Sequence, residues 1–143
     1  MLTGALFHDT GFLRRYNNNE EIGAEIVRKT LPRFGYEDGH IELVAGLVLA
    51  TKLPQKPASG LGEFLCDADL DNLGREDFYV RGELLRRELA EQGIIYSPKE
   101  WYKNSLKFLQ NHRYFTKAAR ELRSERKRKH IREIKEILGV KDE

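Results

Sequence analysis

Asp38-Gly39-His40-Ile41-Glu42-Leu43-Val44-Ala45-Gly46-Leu47-Val48-Leu49-Ala50 is the stretch that decides the fold. Ile41, Val44, Ala45, Val48 and Leu49 recur at the three- and four-residue spacing of a helix face, and the remaining positions are also largely apolar. A helix that is apolar nearly all round belongs at the buried centre of a domain. Asp38 can start it, and the loop Lys52-Leu53-Pro54-Gln55-Lys56-Pro57 ends it.

Outward from this centre the periodicity stays helical, and no alternating stretch of strand type is bounded by turn signals. Before it, Ile22, Ile26, Val27 and Leu31 fall on one face of a helix. The run Asn17-Asn18-Asn19 supplies the N-cap, Pro32 tightens the last turn, and Gly35 stops the chain. A first helix is expected over residues 2–16, with Gly11 as its weak point. After the centre, a fourth helix is expected from Ser59 to Leu73, stopped by Gly74, and a fifth from Glu76 to Gln92, stopped by Gly93. Ser97-Pro98-Lys99-Glu100 is a capping box with proline at the first helical position. Thr116 can cap a seventh helix ending at Gly139. The fold class expected is all-α, a bundle of six or seven helices in a single domain over residues 1–143, with 116–139 a charged C-terminal helix.

Composition narrows the class of function. A chain of 143 residues with 40% hydrophobic content can bury one core. No apolar run approaches the roughly 20 residues that span a bilayer. Met1–Phe7 is apolar but too short for a signal peptide. The single cysteine, Cys66, cannot form an internal disulfide, so a cytoplasmic location is expected, with no membrane partner. The net charge of +2 does not call for nucleic acid as a partner. The run Arg126-Lys127-Arg128-Lys129, flanked by Arg120, Arg123 and Arg132, has Glu121, Glu125, Glu133 and Glu136 in partner spacing. It reads as a solvated helix face.

The chemistry-bearing residues emerge from the same helical wheels. On the first helix, Leu2, Ala5, Leu6, Phe12 and Leu13 form an apolar stripe, with Asp9 inside it and His8 at its edge. A carboxylate on an apolar face needs a partner, since burying a bare charge is costly. A metal ion, a helix N-terminus or a buried arginine could serve. On the fourth helix Cys66, Asp69, Leu70 and Leu73 share a stripe, whereas Asp67 and Asp71 fall with Glu63 on a face expected to be solvated. A calcium loop is excluded, because the glycine and terminal glutamate are not at the required spacing. His8, Asp9 and Asp69 are therefore the candidate metal ligands, converging across two helices. One imidazole with two carboxylates suits manganese, magnesium, iron or zinc. Such an ion lowers the pKa of its water and neutralises charge on a phosphoryl oxygen. Lys52, which opens the loop after the central helix, is a candidate phosphate holder, with Lys56 and Arg75 as weaker ones. His40 is expected to be exposed, His112 to serve the end of the sixth helix, His130 to belong to the charged helix, and Cys66 to be an inert core thiol. No serine-histidine-acid set, phosphate-binding glycine loop or zinc spacing of cysteines is present.

The stretches Ala5-Leu6-Phe7-His8-Asp9-Thr10-Gly11-Phe12, Ala50-Thr51-Lys52-Leu53-Pro54 and Leu65-Cys66-Asp67-Ala68-Asp69-Leu70 resemble a bacterial branch of the HD-domain superfamily of metal-dependent phosphohydrolases. The resemblance covers about residues 1–115. It implies an HD-like helical bundle and a divalent metal on His8, Asp9 and Asp69. It also implies a nucleotide or other small phosphate ester as substrate, with Asp9 orienting the attacking water and Lys52 binding phosphate. That family carries a further histidine on a helix upstream of the His-Asp pair. The seven residues before His8 hold none, and neither does Asn17-Asn18-Asn19-Glu20-Glu21 after it. An uncovered part of the core, and with it a homodimer or an attached partner, is the expectation that follows. A catalytically degenerate module with a nucleotide-binding or signalling role is the alternative.

Overall fold

The central stretch is helical as read. In this computed structural model, which describes residues 1–140, helix α3 spans Asp38–Ala50 and buries Ile41, Val44, Ala45, Leu47 and Val48. Leu43 and Leu49 face outward, so α3 is covered on one side and not all round. The other helices are α1 (Leu2–Phe7), α2 (Asn19–Thr30), α4 (Gly60–Asp69), α5 (Phe78–Glu91), α6 (Pro98–Asn111) and α7 (Lys117–Leu138), and no strand occurs among the described residues. The fold class is all-α, with seven helices among the described residues. Among the described residues, no helix is long and apolar enough to cross a membrane. The chain forms two compact units, Met1–Asp69 and from Leu70 onward.

The first unit is built on the packing of α2 against α3. Ala24, Val27 and Leu31 of the α2 segment meet Ile41, Val44, Ala45 and Val48 of α3, with Phe7 of α1 added at the side. Burying a valine such as Val27 or Val48 completely contributes roughly 2 kcal/mol. Local chemistry sets the ends of α2. Asn18 precedes it at φ 54°, and Leu31–Phe34 tightens into a 3₁₀ turn carrying Pro32. Gly35, at φ 74°, then takes the left-handed conformation that ends the segment.

The first helix departs from expectation. It stops at Phe7, and Thr10–Leu13 form a separate 3₁₀ turn. Two side chains take the carbonyls that a continuing helix would use. The His8 Nδ1 bonds the Ala5 carbonyl at 2.8 Å, and the Thr10 hydroxyl donates to the Phe7 carbonyl at 2.7 Å. The stripe drawn through Leu2, Leu6, Phe12 and Leu13 is therefore broken, and all four are exposed. The buried position of α1 is Gly4, against Leu47 and Leu65. Gly11 is buried in the turn because the backbone of Asn19 passes over it. A Cβ there would lie 1.7 Å from the Asn19 carbonyl oxygen.

The fourth helix also ends earlier than read. α4 stops at Asp69, and the chain tightens into a 3₁₀ turn over Asp71–Gly74. Its inward face holds Gly62, Leu65, Cys66 and Asp67. Asp67, expected in solvent, is only 5% exposed. The Cys66 thiol donates to the Ala50 carbonyl, and burial pushes it up to about 11, the inert state expected of it.

The second unit has a largely aliphatic centre with aromatic rings packed around it. Leu73, Phe78, Leu106, Leu109 and Ile134 are buried together. Ser97 and Glu100 form the expected capping box at α6, and Thr116 caps α7 by accepting from the Ala119 amide. Trp101, the only tryptophan, lies in the first turns of α6 with its ring 6.1 Å from that of Tyr96. The basic run of α7 does not form one solvated face. Arg126 pairs with Glu76 and Lys129 with Glu133, while Lys127 and His130 are buried. His130 stacks on Phe78 at 4.6 Å and bonds the Leu73 carbonyl through Nδ1. Lys127 donates to the His112 carbonyl at 2.7 Å and lies over the Tyr114 ring. Burial, with Arg113 and Arg128 beside it, lowers Lys127 from the ordinary 10.5 to about 8.

Two outcomes follow from this packing. Gly11→Ala should destabilise the first unit by about 3 kcal/mol, because the Asn19 backbone must move; hydrogen exchange of the α2 and α3 amides measures it. For Lys127 the folded chain releases its proton before the unfolded chain does. The Lys127 contribution to the stability of the second unit should therefore rise with pH between about 8 and 10.5. Denaturant midpoints of that unit, followed by Trp101 emission, should show the rise relative to Lys127→Met, which lacks it.

Candidate functional site

His8 is the last helical residue of the α1 segment, with φ −58° and ψ −34°. Asp9 follows as the residue that opens the 3₁₀ turn. Asp69 is the final residue of α4. The packing that delivers them runs through α2. Gly23 sits where a side chain would press on Val48, 3.0 Å away, and near the Phe7 and His8 carbonyls at 3.5 and 3.6 Å. A glycine at this point lets α2 pass close over the end of α1.

The three predicted ligands meet at one atom. The His8 Nε2 lies 3.2 Å from the Asp9 Oδ2 and 3.3 Å from the Asp69 Oδ1. The other ring nitrogen is held by the Ala5 carbonyl. The imidazole therefore has an acceptor at each end, three oxygens in all. The Asp69 carboxylate first, then that of Asp9, raise His8 to about 10 against the opposing effect of burial. The two acids differ in exposure. The Asp69 side chain is 23% exposed, and that of Asp9 is 63% exposed. Asp9 is thus not the buried acid of an apolar stripe, because the turn after His8 swings it outward.

The donor set can be tested against a metal ion on its own chemistry. Fixing Nδ1–H on a backbone carbonyl is how proteins leave Nε2 as the coordinating nitrogen. Ligands about 2.1 Å from one ion stand about 3.0–3.4 Å from each other, in octahedral or tetrahedral arrangement. The two N–O separations at His8 fall in that interval. Among the described residues, however, no group of three or more His, Cys, Asp and Glu side chains is placed to hold a metal ion. The three side chains suit a cation in kind, and the two separations from the His8 Nε2 match ligand spacing, but as placed they do not surround one point. Reaching coordination needs the carboxylates to turn from Nε2 toward a shared point.

Around this cluster the structure places residues that the sequence reading did not single out. Gln55, in the loop between α3 and α4, donates from Nε2 to the Asp69 Oδ2 at 3.0 Å. Glu21, in the first turn of α2, pairs with Lys52. That pairing, with Arg15 also near, holds the Glu21 carboxyl below its ordinary range. Lys52 is thus engaged by a carboxylate and does not stand as a free charge. Lys56 is exposed, and Arg75 belongs to the second unit, paired with Asp71 and Asp77. His40 is exposed, as expected. No loop periodicity marks Gln55. Its one sequence signal is a lone amide between two prolines.

No protein-family model, curated protein or solved structure matches the chain.

The electrostatics of His8 yield a directional expectation. Its folded-state value stands above the ordinary 6.5, so the stabilisation is full below about 6.5 and is lost as pH rises toward about 10. With a chelator present, the imidazole resonances of His8 should titrate far above the usual range. Asp69→Asn should bring the midpoint down further than Asp9→Asn.

Proposed function

We propose that residues 1–69 carry a metal-dependent phosphohydrolase centre of HD type, acting on a nucleotide or another small phosphate ester. The observation that supports this reading is the His8 Nε2 shared between two carboxylates while Nδ1 is tied to a backbone carbonyl. His8, Asp9 and Asp69 would hold one divalent ion, manganese, magnesium, iron or zinc. When bound, such an ion supplies an acidified water and a counter-charge for a phosphoryl oxygen.

The side chains divide the remaining work. His8, with Nδ1–H fixed, offers Nε2 as a neutral ligand once its proton has left. Asp69, largely buried, contributes a fixed negative charge. Asp9, the exposed acid, is the one that solvent and substrate can reach, so it orients the attacking water and accepts its proton. Lys52 would leave Glu21 to meet the substrate phosphate, a compact charge on a flexible stem.

One observation favours a second reading, a degenerate module that binds a nucleotide without turning it over. Lys52 is already neutralised by Glu21, which leaves the phosphate with a competitor.

The full chain should take up manganese in near-stoichiometric amount. It should hydrolyse a member of a panel of nucleotides and phosphodiesters in its presence. Asp9→Ala should lower that rate by about 100-fold or more. Absence of bound metal together with absence of manganese-dependent hydrolysis would sink the proposal. Nucleotide binding without turnover, measured by calorimetry, would select the second reading.

A further inference from the structure

We infer that Gln55 is the positioning residue of the cluster, setting the plane of the Asp69 carboxylate so that one oxygen faces His8. This rests on the reading of His8, Asp9 and Asp69 as the working centre. The two oxygens of Asp69 have separate partners. Oδ2 accepts from the Gln55 Nε2 at 3.0 Å, and Oδ1 lies 3.3 Å from the His8 Nε2. The last torsion of an aspartate is broad and only roughly two-fold, so one anchor leaves the carboxylate free to swing. Two anchors on different oxygens fix it.

The direction of the amide is also determined. A carbonyl oxygen 3.0 Å from a carboxylate oxygen would be repelled, so the NH₂ end faces Asp69. The other end, Oε1, is buried and has no hydrogen-bond partner among the described residues. It is set to accept a hydrogen bond from a donor on a bound ligand. Gln55 turns inward from a loop whose neighbours Leu53, Pro54 and Lys56 are exposed. Outer-shell partners of this kind change metal affinity by about 10–100-fold when removed.

The test compares the full chain with Gln55→Leu, Gln55→Glu, Asp69→Asn and the Gln55→Leu/Asp69→Asn double variant. Nitrogen-15 shifts of the His8 ring at one fixed pH with chelator, and manganese affinity by calorimetry, are the two readouts. Gln55→Leu should move the His8 resonances, and should add nothing in the Asp69→Asn background. Gln55→Glu, which sets a second carboxylate against Asp69, should move the same resonances without a gross loss of fold. Unmoved His8 resonances in Gln55→Leu would overturn the inference, whatever manganese does. A wild-type chain that takes up no manganese would instead overturn the reading of the centre. The His8 shifts still decide the role of Gln55 in that case.

Discussion

The hydrogen bond from the His8 ring to the Ala5 carbonyl is the constraint on which the candidate site rests. It ends the first helix, fixes the ring, and leaves the second nitrogen pointing at two carboxylates. At that nitrogen a positive species satisfies both acids, whether a proton or a cation. The two carboxylates, Asp69 first and then Asp9, therefore explain why His8 holds its proton so tightly, and the same pair makes the position suit an ion. Two glycines allow the arrangement. Gly11 admits the Asn19 backbone, and Gly23 admits the end of α1 beside α2.

Features written in adjacent residues were legible. The capping box at Ser97, the cap at Thr116 and the left-handed glycines at 35, 93 and 139 depend on two to four neighbouring positions, and each lies where it was read. His8 and Asp69 do lie 3.3 Å apart, but the apolar stripe of the first helix from which they were read is exposed, so their proximity does not rest on that pattern. What failed was the extension of periodicity past its physical limit. Helical spacing from residue 2 to 16 cannot register that His8 and Thr10 take backbone carbonyls for themselves. The stripe through Cys66, Asp69 and Leu73 likewise crossed a helix end, and so Asp67 was assigned to the wrong side.

Contacts between distant segments left no local mark. Lys52 meets Glu21 across 31 positions, and Gln55 meets Asp69 across 14. Lys127 and His130 belong to a run whose composition is that of a solvated face, yet α7 turns both inward onto the aromatic layer of the second unit. Charge counting sees which residues are ionisable, not which of them a helix presents to its neighbours. A buried lysine is tolerated there because a carbonyl and an aromatic ring take up its ammonium.

The placement of Trp101 divides how this molecule can be watched. It is the only indole in the chain, and it belongs to the second unit beside Tyr96. Intrinsic emission excited at the red edge therefore samples the surroundings of α6 and leaves residues 1–69 dark. An optical melting curve can look complete while it records one half of the polypeptide. A tryptophan introduced at Phe7, beside the α2–α3 core, would give the other half its own signal.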